Sequence, residues 1–248
     1  MNPSIETLNK YADTIRKLRY VGSIEIDYLS INCTKLKVLA IEIERLSAQP
    51  GLSPAIAELI QRNTHTLKTF LFRKQMSITS TTDIWEELAN CQTINLIQVS
   101  SCNIHSGDMT SFWKACSKAK VLYLQAVKLY CGSSQPQADL LQFQFPRLRY
   151  LYISSMINVT NYSQLSIVAG APKLEIFNWK PCHRSGFPID EYQETFSQHC
   201  TRGFSSYIGL YGEGQSPGVH GWEIFNKRII FAYVTTLKDH TQAKTWQL

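Results

Sequence analysis

Six segments of this chain repeat one apolar skeleton, and a weaker seventh copy precedes them. In each segment a Leu-type residue is followed three positions later by a second apolar residue, and two positions after that by a third. Successive copies begin 21 to 31 residues apart. A period of this length is typical of proteins built from stacked structural repeats, so it constrains the fold more than composition does. The copies begin at Ile15 (the weak copy), Leu36, Leu67, Ile94, Ala119, Leu148 and Leu174.

Each copy predicts a short β-strand, because its apolar residues alternate and the segment is too short for a helix. Helical patterns follow most copies: Ser53 is placed to cap a helix beginning at Pro54, and similar patterns cover residues 82–88 and 108–116. Strands that alternate with helices form parallel sheets through right-handed crossovers. We therefore predict an α/β solenoid, a horseshoe with a parallel β-sheet on the concave face and helices on the convex face.

The period divides the chain into two predicted regions. Residues 1–181 are expected to form an array of about six or seven units, and residues 182–248 a degenerate repeat with a C-terminal cap. In the second region, Phe204 and Tyr207 are spaced like the start of a further unit, and residues 222–225 and 228–234 have the pattern of two strands. The 44% hydrophobic and 18% charged residues are typical of a folded chain.

The seven cysteines follow the repeat instead of a disulfide pattern. Cys33, Cys91 and Cys116 each lie three residues before a copy begins, and Cys102 lies eight residues after Ile94. We predict that these thiols are structural and reduced, which suits a cytoplasmic or nuclear location. The chain has neither a signal-peptide pattern nor an apolar stretch near the roughly 20 residues that a membrane helix needs, so membrane insertion is not expected.

The skeleton, its cysteine-containing helix ends and the segment Cys102-x-Ile104 resemble leucine-rich repeats of the ribonuclease-inhibitor-like class. Openings such as CTKLKVLAI, CQTINLIQV and FPRLRYLYI are most similar to the repeat region of fungal F-box proteins, over roughly residues 4–181. In that family the F-box binds a ubiquitin-ligase adaptor, and the repeats recognise the substrate. An F-box needs about 40 residues and only 14 precede Ile15, so adaptor binding is expected only for a longer form that carries the module.

The resemblance implies a partner-binding surface on the concave face, which the residues between the apolar positions line. Tyr123, Tyr150 and Tyr152 are the strongest candidates, since aromatic residues often anchor protein interfaces. The alternative is that they stabilise the sheet through cross-strand packing. Arg73 and Arg149 add basic character. The predicted partner-binding residues are Arg19, Leu71, Arg73, Gln98, Tyr123, Gln125, Tyr150, Tyr152 and Asn178.

Catalysis and metal binding have no support in the sequence. The pairs Cys182-His183 and His199-Cys200 are adjacent in sequence, whereas zinc ligands in a pair are usually two to five residues apart. The segment Gly212-x-Gly214 lacks the Lys-Ser or Lys-Thr of a phosphate-binding loop. We therefore expect no enzyme, no cofactor and no metal. The predicted function is protein–protein recognition, as in substrate recognition for an F-box-type ubiquitin ligase.

The alternative function is that of a regulatory or nucleic-acid-associated repeat protein that uses a basic surface. The net charge of +6 permits it. The sequence contains no extended run of Lys or Arg, however, so nucleic acid is not the favoured partner.

Overall fold

A computed structural model shows an α/β protein whose main feature is a parallel sheet. The structure describes residues 5–21, 26–43, 51–74, 81–130, 143–154, 167–180, 204–208 and 222–225. The strands are β1 (Lys17–Val21), β2 (Val38–Ile43), β3 (Thr69–Lys74), β4 (Leu96–Ser100), β5 (Asn103–His105), β6 (Val121–Gln125), β7 (Lys128–Tyr130), β8 (Tyr150–Ser154), β9 (Ile176–Lys180), β10 (Phe204–Ile208) and β11 (Trp222–Phe225).

The strands of the main sheet lie side by side in the order of the chain. That order is β1-β2-β3-β4-β6-β8-β9-β10-β11, and each pair from β1 to β10 is parallel. β11 pairs with β10 in the antiparallel direction. The short strands β5 and β7 form a separate parallel pair. Each strand of the main sheet therefore pairs with the main-sheet strands that come before and after it in the chain.

Helices connect several of the successive strands, and one helix precedes β1. They are α1 (Ile5–Lys10), α2 (Leu52–Gln61), α3 (Thr82–Asn90) and α4 (Met109–Cys116), with 3₁₀ turns at Ala12–Thr14, Ile26–Ser30 and Ser106–Asp108 and a helical turn at 167–169. The buried core joins the apolar side of these helices to one face of the sheet. Trp85 of α3, for example, contacts Phe70 and Phe72 of β3 edge-on, with ring centroids 6.2 and 5.5 Å apart.

The apolar skeleton predicted the strands correctly. Its second and third positions lie in β1, β2, β3, β4, β6, β8 and β9, and in β2, β3, β4, β6 and β8 these residues are buried. The strand predicted at residues 222–225 is present as β11, whereas residues 228–234, the Gly-rich segment and the two Cys-His pairs lie outside the described residues.

The predicted start of the second helix was wrong by two residues. Gly51 occupies the cap position with a left-handed φ of 87°, α2 begins at Leu52, and the hydroxyl of Ser53 is buried without a hydrogen-bond partner. Pro54 has no N–H to leave unsatisfied, so it is tolerated anywhere in the first turn of a helix. Its presence therefore does not mark which residue is the cap.

Asn63 links neighbouring units through buried hydrogen bonds. Its Nδ2 donates to the carbonyl of Cys33 at 2.7 Å and to that of Leu59 at 2.8 Å. Its Oδ1 accepts from the backbone N–H of Leu36 at 2.8 Å. The side chain thus satisfies backbone groups at the end of α2 and at the entry to the β2 strand, where no regular secondary structure could do so.

Asp108 makes the corresponding link further along the chain. It is 2% exposed and precedes α4, yet its carboxylate accepts from the backbone N–H and the hydroxyl of Thr81, at 3.1 and 2.9 Å, and from the hydroxyl of Thr82. The Thr81 hydroxyl in turn accepts from the indole N–H of Trp85 at 2.8 Å. A carboxylate from one unit therefore caps the helix of the unit before it.

We expect Asp108→Ala to destabilise the protein by about 2–4 kcal/mol, because two buried donors on Thr81 lose their acceptor. Asp108→Asn keeps one acceptor oxygen and should cost less. Urea unfolding followed by far-UV circular dichroism measures both changes. Asp27→Ala, at an exposed position, is the control and should change stability by less than about 0.5 kcal/mol. Equal effects of the Asp108 and Asp27 substitutions would contradict the buried network.

The described cysteines are free thiols in the core. Cys33, Cys91, Cys102 and Cys116 are all buried, and the thiol of Cys102 lies 3.7 Å from the carbonyl oxygen of Asn103. Burial raises the pKa of Cys91 to about 12, and burial also raises the pKa of Cys116. These side chains therefore pack as small apolar groups and are poor nucleophiles.

Cys91 and Cys116 should resist alkylation by iodoacetamide at neutral pH in the folded protein. With a pKa near 12, only about one Cys91 thiol in 10⁵ is ionised at pH 7. Mass spectrometry of the tryptic peptides, before and after unfolding in guanidinium chloride, resolves each site. Labelling of Cys91 at equal rates in the two states would show that the thiol is accessible in the native protein.

Candidate functional site

Strand register places three rows of residues on the face of the main sheet opposite the helices. In these rows each residue has a register partner directly beside it on the next strand. We call this surface the outer face. The rows are Lys17–Val38–Thr69–Leu96–Val121–Tyr150–Ile176, Arg19–Ala40–Leu71–Gln98–Tyr123–Tyr152–Asn178 and Val21–Glu42–Arg73–Ser100–Gln125–Ser154–Lys180.

All nine residues predicted from the sequence to bind a partner lie in these rows. Tyr150 is in the first row, and Arg73 and Gln125 are in the third. The other six are in the middle row, in which Arg19 is exposed. Asn178 is placed by its backbone alone, because its side chain is outside the described atoms. The residues that are half-buried are Leu71, Gln98, Tyr123, Gln125, Tyr150 and Tyr152.

Tyr123 and Tyr152 stack on each other across strands β6 and β8. Their ring centroids are 4.1 Å apart and their planes differ by 5°. Burial raises the pKa of the Tyr123 hydroxyl well above its usual range, and the neighbouring Tyr152 adds to the shift. Like an ordinary tyrosine, Tyr123 is a neutral phenol at physiological pH, so its hydroxyl is a hydrogen-bond donor. The stack restricts the rotation of both rings, so little further side-chain entropy is lost when a partner contacts them.

Arg19 is engaged by an acidic neighbour on the outer face. Its guanidinium donates two hydrogen bonds to the carboxylate of Glu42, Nε to Oε1 at 2.9 Å and Nη2 to Oε2 at 3.0 Å. These contacts raise the pKa of Arg19 still further. The pair joins β1 to β2 diagonally across the sheet. A partner that contacts this end of the outer face therefore meets a neutralised pair instead of a free cation.

Two further residues on or beside the outer face are covered or paired by their neighbours. Ala40 is only 8% exposed, because its methyl group lies between the larger side chains of Arg19 and Leu71 in the middle row. Arg149, expected to supply basic character, lies 3.6 Å from the carboxylate of Glu175. Glu175 occupies the matching position of the next unit, which the spacing along one unit could not reveal.

The structure also assembles a basic surface that sequence reasoning missed. Just before each strand, the backbone carbonyl of one residue accepts hydrogen bonds from the N–H groups of the next unit. Seven residues, one from each unit, lie next to one another along this ladder: Arg16, Lys37, Lys68, Asn95, Lys120, Arg149 and Glu175. The positions two residues earlier are Thr14, Lys35, Thr66, Thr93, Lys118, Arg147 and Lys173. We call these two rows the basic edge.

The basic edge holds more positive charge than the chain as a whole. Its nine Lys and Arg residues and its single carboxylate give a net charge of +8, against +6 for the whole sequence, so all the other residues together carry −2. Seven of the nine cationic residues are exposed, and Arg16 and Arg147 are half-buried. The sequence signal is the pattern basic-apolar-basic around the first skeleton position, as in Lys35-Leu36-Lys37. It becomes visible only when the units are aligned.

The described residues contain no group of three or more His, Cys, Asp or Glu side chains that could hold a metal ion. The pairs Cys182-His183 and His199-Cys200 and the segment Gly212-x-Gly214 fall outside those residues. Among the helices that the structure describes, none combines the length and the apolar character needed to cross a bilayer.

A scan against protein-family models finds no match to this chain. A search of curated proteins likewise finds no matching sequence.

The stack of Tyr123 and Tyr152 should appear as an energetic coupling. We expect a double-mutant cycle with Tyr123→Ala and Tyr152→Ala to give about 0.5–1.5 kcal/mol in the free energy of unfolding. Tyr11, which is 54% exposed and lies away from the sheet, supplies the control. A cycle that combines Tyr123→Ala with Tyr11→Ala should be additive within about 0.5 kcal/mol. Equal coupling energies in the two cycles would show that the rings do not interact in solution.

Proposed function

We propose that this chain is a leucine-rich repeat protein of the ribonuclease-inhibitor-like class, and that it recognises a protein partner on the outer face of its sheet. The observation that carries the proposal is the set of aligned rows on that face. They place apolar and aromatic side chains from successive strands next to one another. In a solenoid of this class the face is concave.

The centre of the outer face has the composition of an interface core. Leu96, Val121 and Tyr150 are neighbours in the first row, beside the stacked Tyr123 and Tyr152 of the middle row. All five are half-buried, so a partner that covers them removes apolar and aromatic surface from water. Tyrosine rings with few free torsions lose little entropy on binding, and they are enriched among the residues that dominate interface energies.

The skeleton's similarity to fungal F-box repeat proteins supports a more specific role, recognition of substrates for a ubiquitin ligase. In that role the outer face holds the substrate, and an F-box in a longer form of the chain holds the ligase adaptor. Two measurements test this part of the proposal separately. The transcript upstream of Met1 is sequenced, and a longer form, where one is found, is tested for adaptor binding.

The combined variant Tyr150→Ser and Tyr152→Ser tests the outer face. We expect the immobilised wild-type chain to retain a defined protein from extracts of the source cell and the variant to lose it. The lost affinity should be at least tenfold, since hot-spot side chains contribute about 2 kcal/mol or more each. The retained protein is identified by mass spectrometry, and its affinity for both chains is then measured with purified material.

Tyr11→Ala is the matched control, because it removes an exposed aromatic ring outside the outer face. It should bind the partner as the wild type does. Thermal unfolding of each variant separates lost binding from lost folding. Undiminished binding by the folded Tyr150/Tyr152 variant would place the partner elsewhere and refute the proposed interface.

A second candidate function draws on the basic edge. Nine cationic residues lie along one side of the sheet, and a nucleic-acid-associated regulator would use such a surface to bind phosphate groups. Recovery of RNA or chromatin alone, with no protein partner, would favour this candidate over protein recognition.

A further inference from the structure

The charges of the basic edge are close enough to repel one another. Adjacent strands lie about 4.8 Å apart, which is well within the Debye length of about 10 Å at 0.1 M salt. Lys37 and Lys68 are direct neighbours in the ladder, as are Lys120 and Arg149. Like charges opposite one another destabilise a sheet. A bound polyanion would therefore remove an electrostatic repulsion that is present in the free protein.

Carboxylates neutralise one cation of the basic edge and one cation of the outer face. Glu175 approaches Arg149 to 3.6 Å, and Glu42 holds Arg19 through two hydrogen bonds. Within the described residues these are the ion pairs that form, and they leave the lysines of the basic edge outside any ion pair. The flexible stems of Lys37, Lys68 and Lys120 let their ammonium groups adjust to carboxylates at varied spacing.

We propose that the basic edge binds an acidic, extended segment of the partner protein. This inference rests on the proposed function, because the partner is taken to be a protein that also contacts the outer face. Seven ladder positions span about 29 Å, the length of about nine residues of extended chain at roughly 3.3 Å each. The basic edge borders the first row of the outer face along the same strands, so one partner reaches both surfaces.

An acidic polypeptide fits this surface better than a single-stranded nucleic acid. Nucleic-acid grooves combine basic residues with aromatic rings on which bases stack. Here the rings of Tyr123 and Tyr152 stack on each other, so one face of each ring is already covered. The residues outside the basic edge carry a net charge of −2, so the chain lacks the general excess of positive charge that accompanies nonspecific nucleic-acid binding.

Fluorescence anisotropy with a labelled peptide of about nine Glu residues, matched to the span of the basic edge, tests the proposal. We expect binding that weakens as ionic strength rises. The combined variant Lys68→Gln and Lys120→Gln should bind the peptide about threefold to thirtyfold more weakly. Its thermal stability should be unchanged or higher, because the substitutions remove repulsion; a merely structural role for the lysines would lower it.

The combined variant Lys10→Gln and Lys114→Gln is the matched control. It removes the same amount of charge from exposed positions on α1 and α4 and should bind as the wild type does. Glu175→Gln removes the single carboxylate of the basic edge and should tighten binding about twofold to fivefold. Equal losses in the two lysine variants would overturn the proposal, because the peptide would then respond only to net charge.

A labelled oligouridylate of matched charge distinguishes the two kinds of polyanion. Tighter binding of the oligouridylate than of the peptide, lost with Lys68 and Lys120, would overturn the proposal in favour of nucleic acid. The Tyr150/Tyr152 variant should still bind the peptide, which has no apolar side chains. If the wild type captures its partner but does not bind the peptide, only the basic-edge proposal is refuted. If the peptide binds but the Tyr150/Tyr152 variant captures the partner undiminished, only the outer-face interface is refuted.

Discussion

The parallel hydrogen-bond ladder between successive units is the constraint on which the rest of this structure depends. No strand of a parallel sheet can satisfy its own N–H and C=O groups, so each unit needs the next one in a fixed register. That register decides which side chains become neighbours. It stacks Tyr123 on Tyr152, sets Glu42 beside Arg19 and gathers the cations before each strand into one edge. The core, the outer face and the basic edge are therefore consequences of the same pairing.

Buried polar side chains reinforce this pairing where the backbone is irregular. Asn63 and Asp108 each take hydrogen bonds from a neighbouring unit at a point where the chain leaves a helix or approaches one. A buried donor without an acceptor destabilises the folded state. The hydrogen bonds of Asn63 and Asp108 form only when the two units are correctly aligned, so these side chains favour the correct alignment. Specific polar groups thus supplement apolar burial, which by itself does not distinguish one register from another.

Local patterns in the sequence predicted the strands and most helices, because the apolar skeleton records which positions face the core. The N-cap was mispredicted because Pro54 fits several first-turn positions and Gly51 supplied the turn through its left-handed conformation. The nine face residues were predictable from alternation alone. The Arg19–Glu42 and Arg149–Glu175 pairs were not, because they join residues of different units. The basic edge was present in the sequence as at most two cations per unit, and none at Thr93 and Asn95, so it required the units to be aligned.

The aromatic contacts of the core have a consequence for how the protein unfolds. Phe70, Phe72, Trp85, Phe112, Trp113 and Phe145 form an unbroken chain of ring contacts, with centroids 4.8 to 6.4 Å apart, that runs from β3 to the approach of β8. Arrays whose units contact only their neighbours can melt piecemeal from their ends. Here the middle units share one continuous aromatic core, so none of them can open without breaking ring contacts in the next. We therefore expect the units from β3 to β8 to unfold together, because opening any one of them exposes rings that its neighbours also contact.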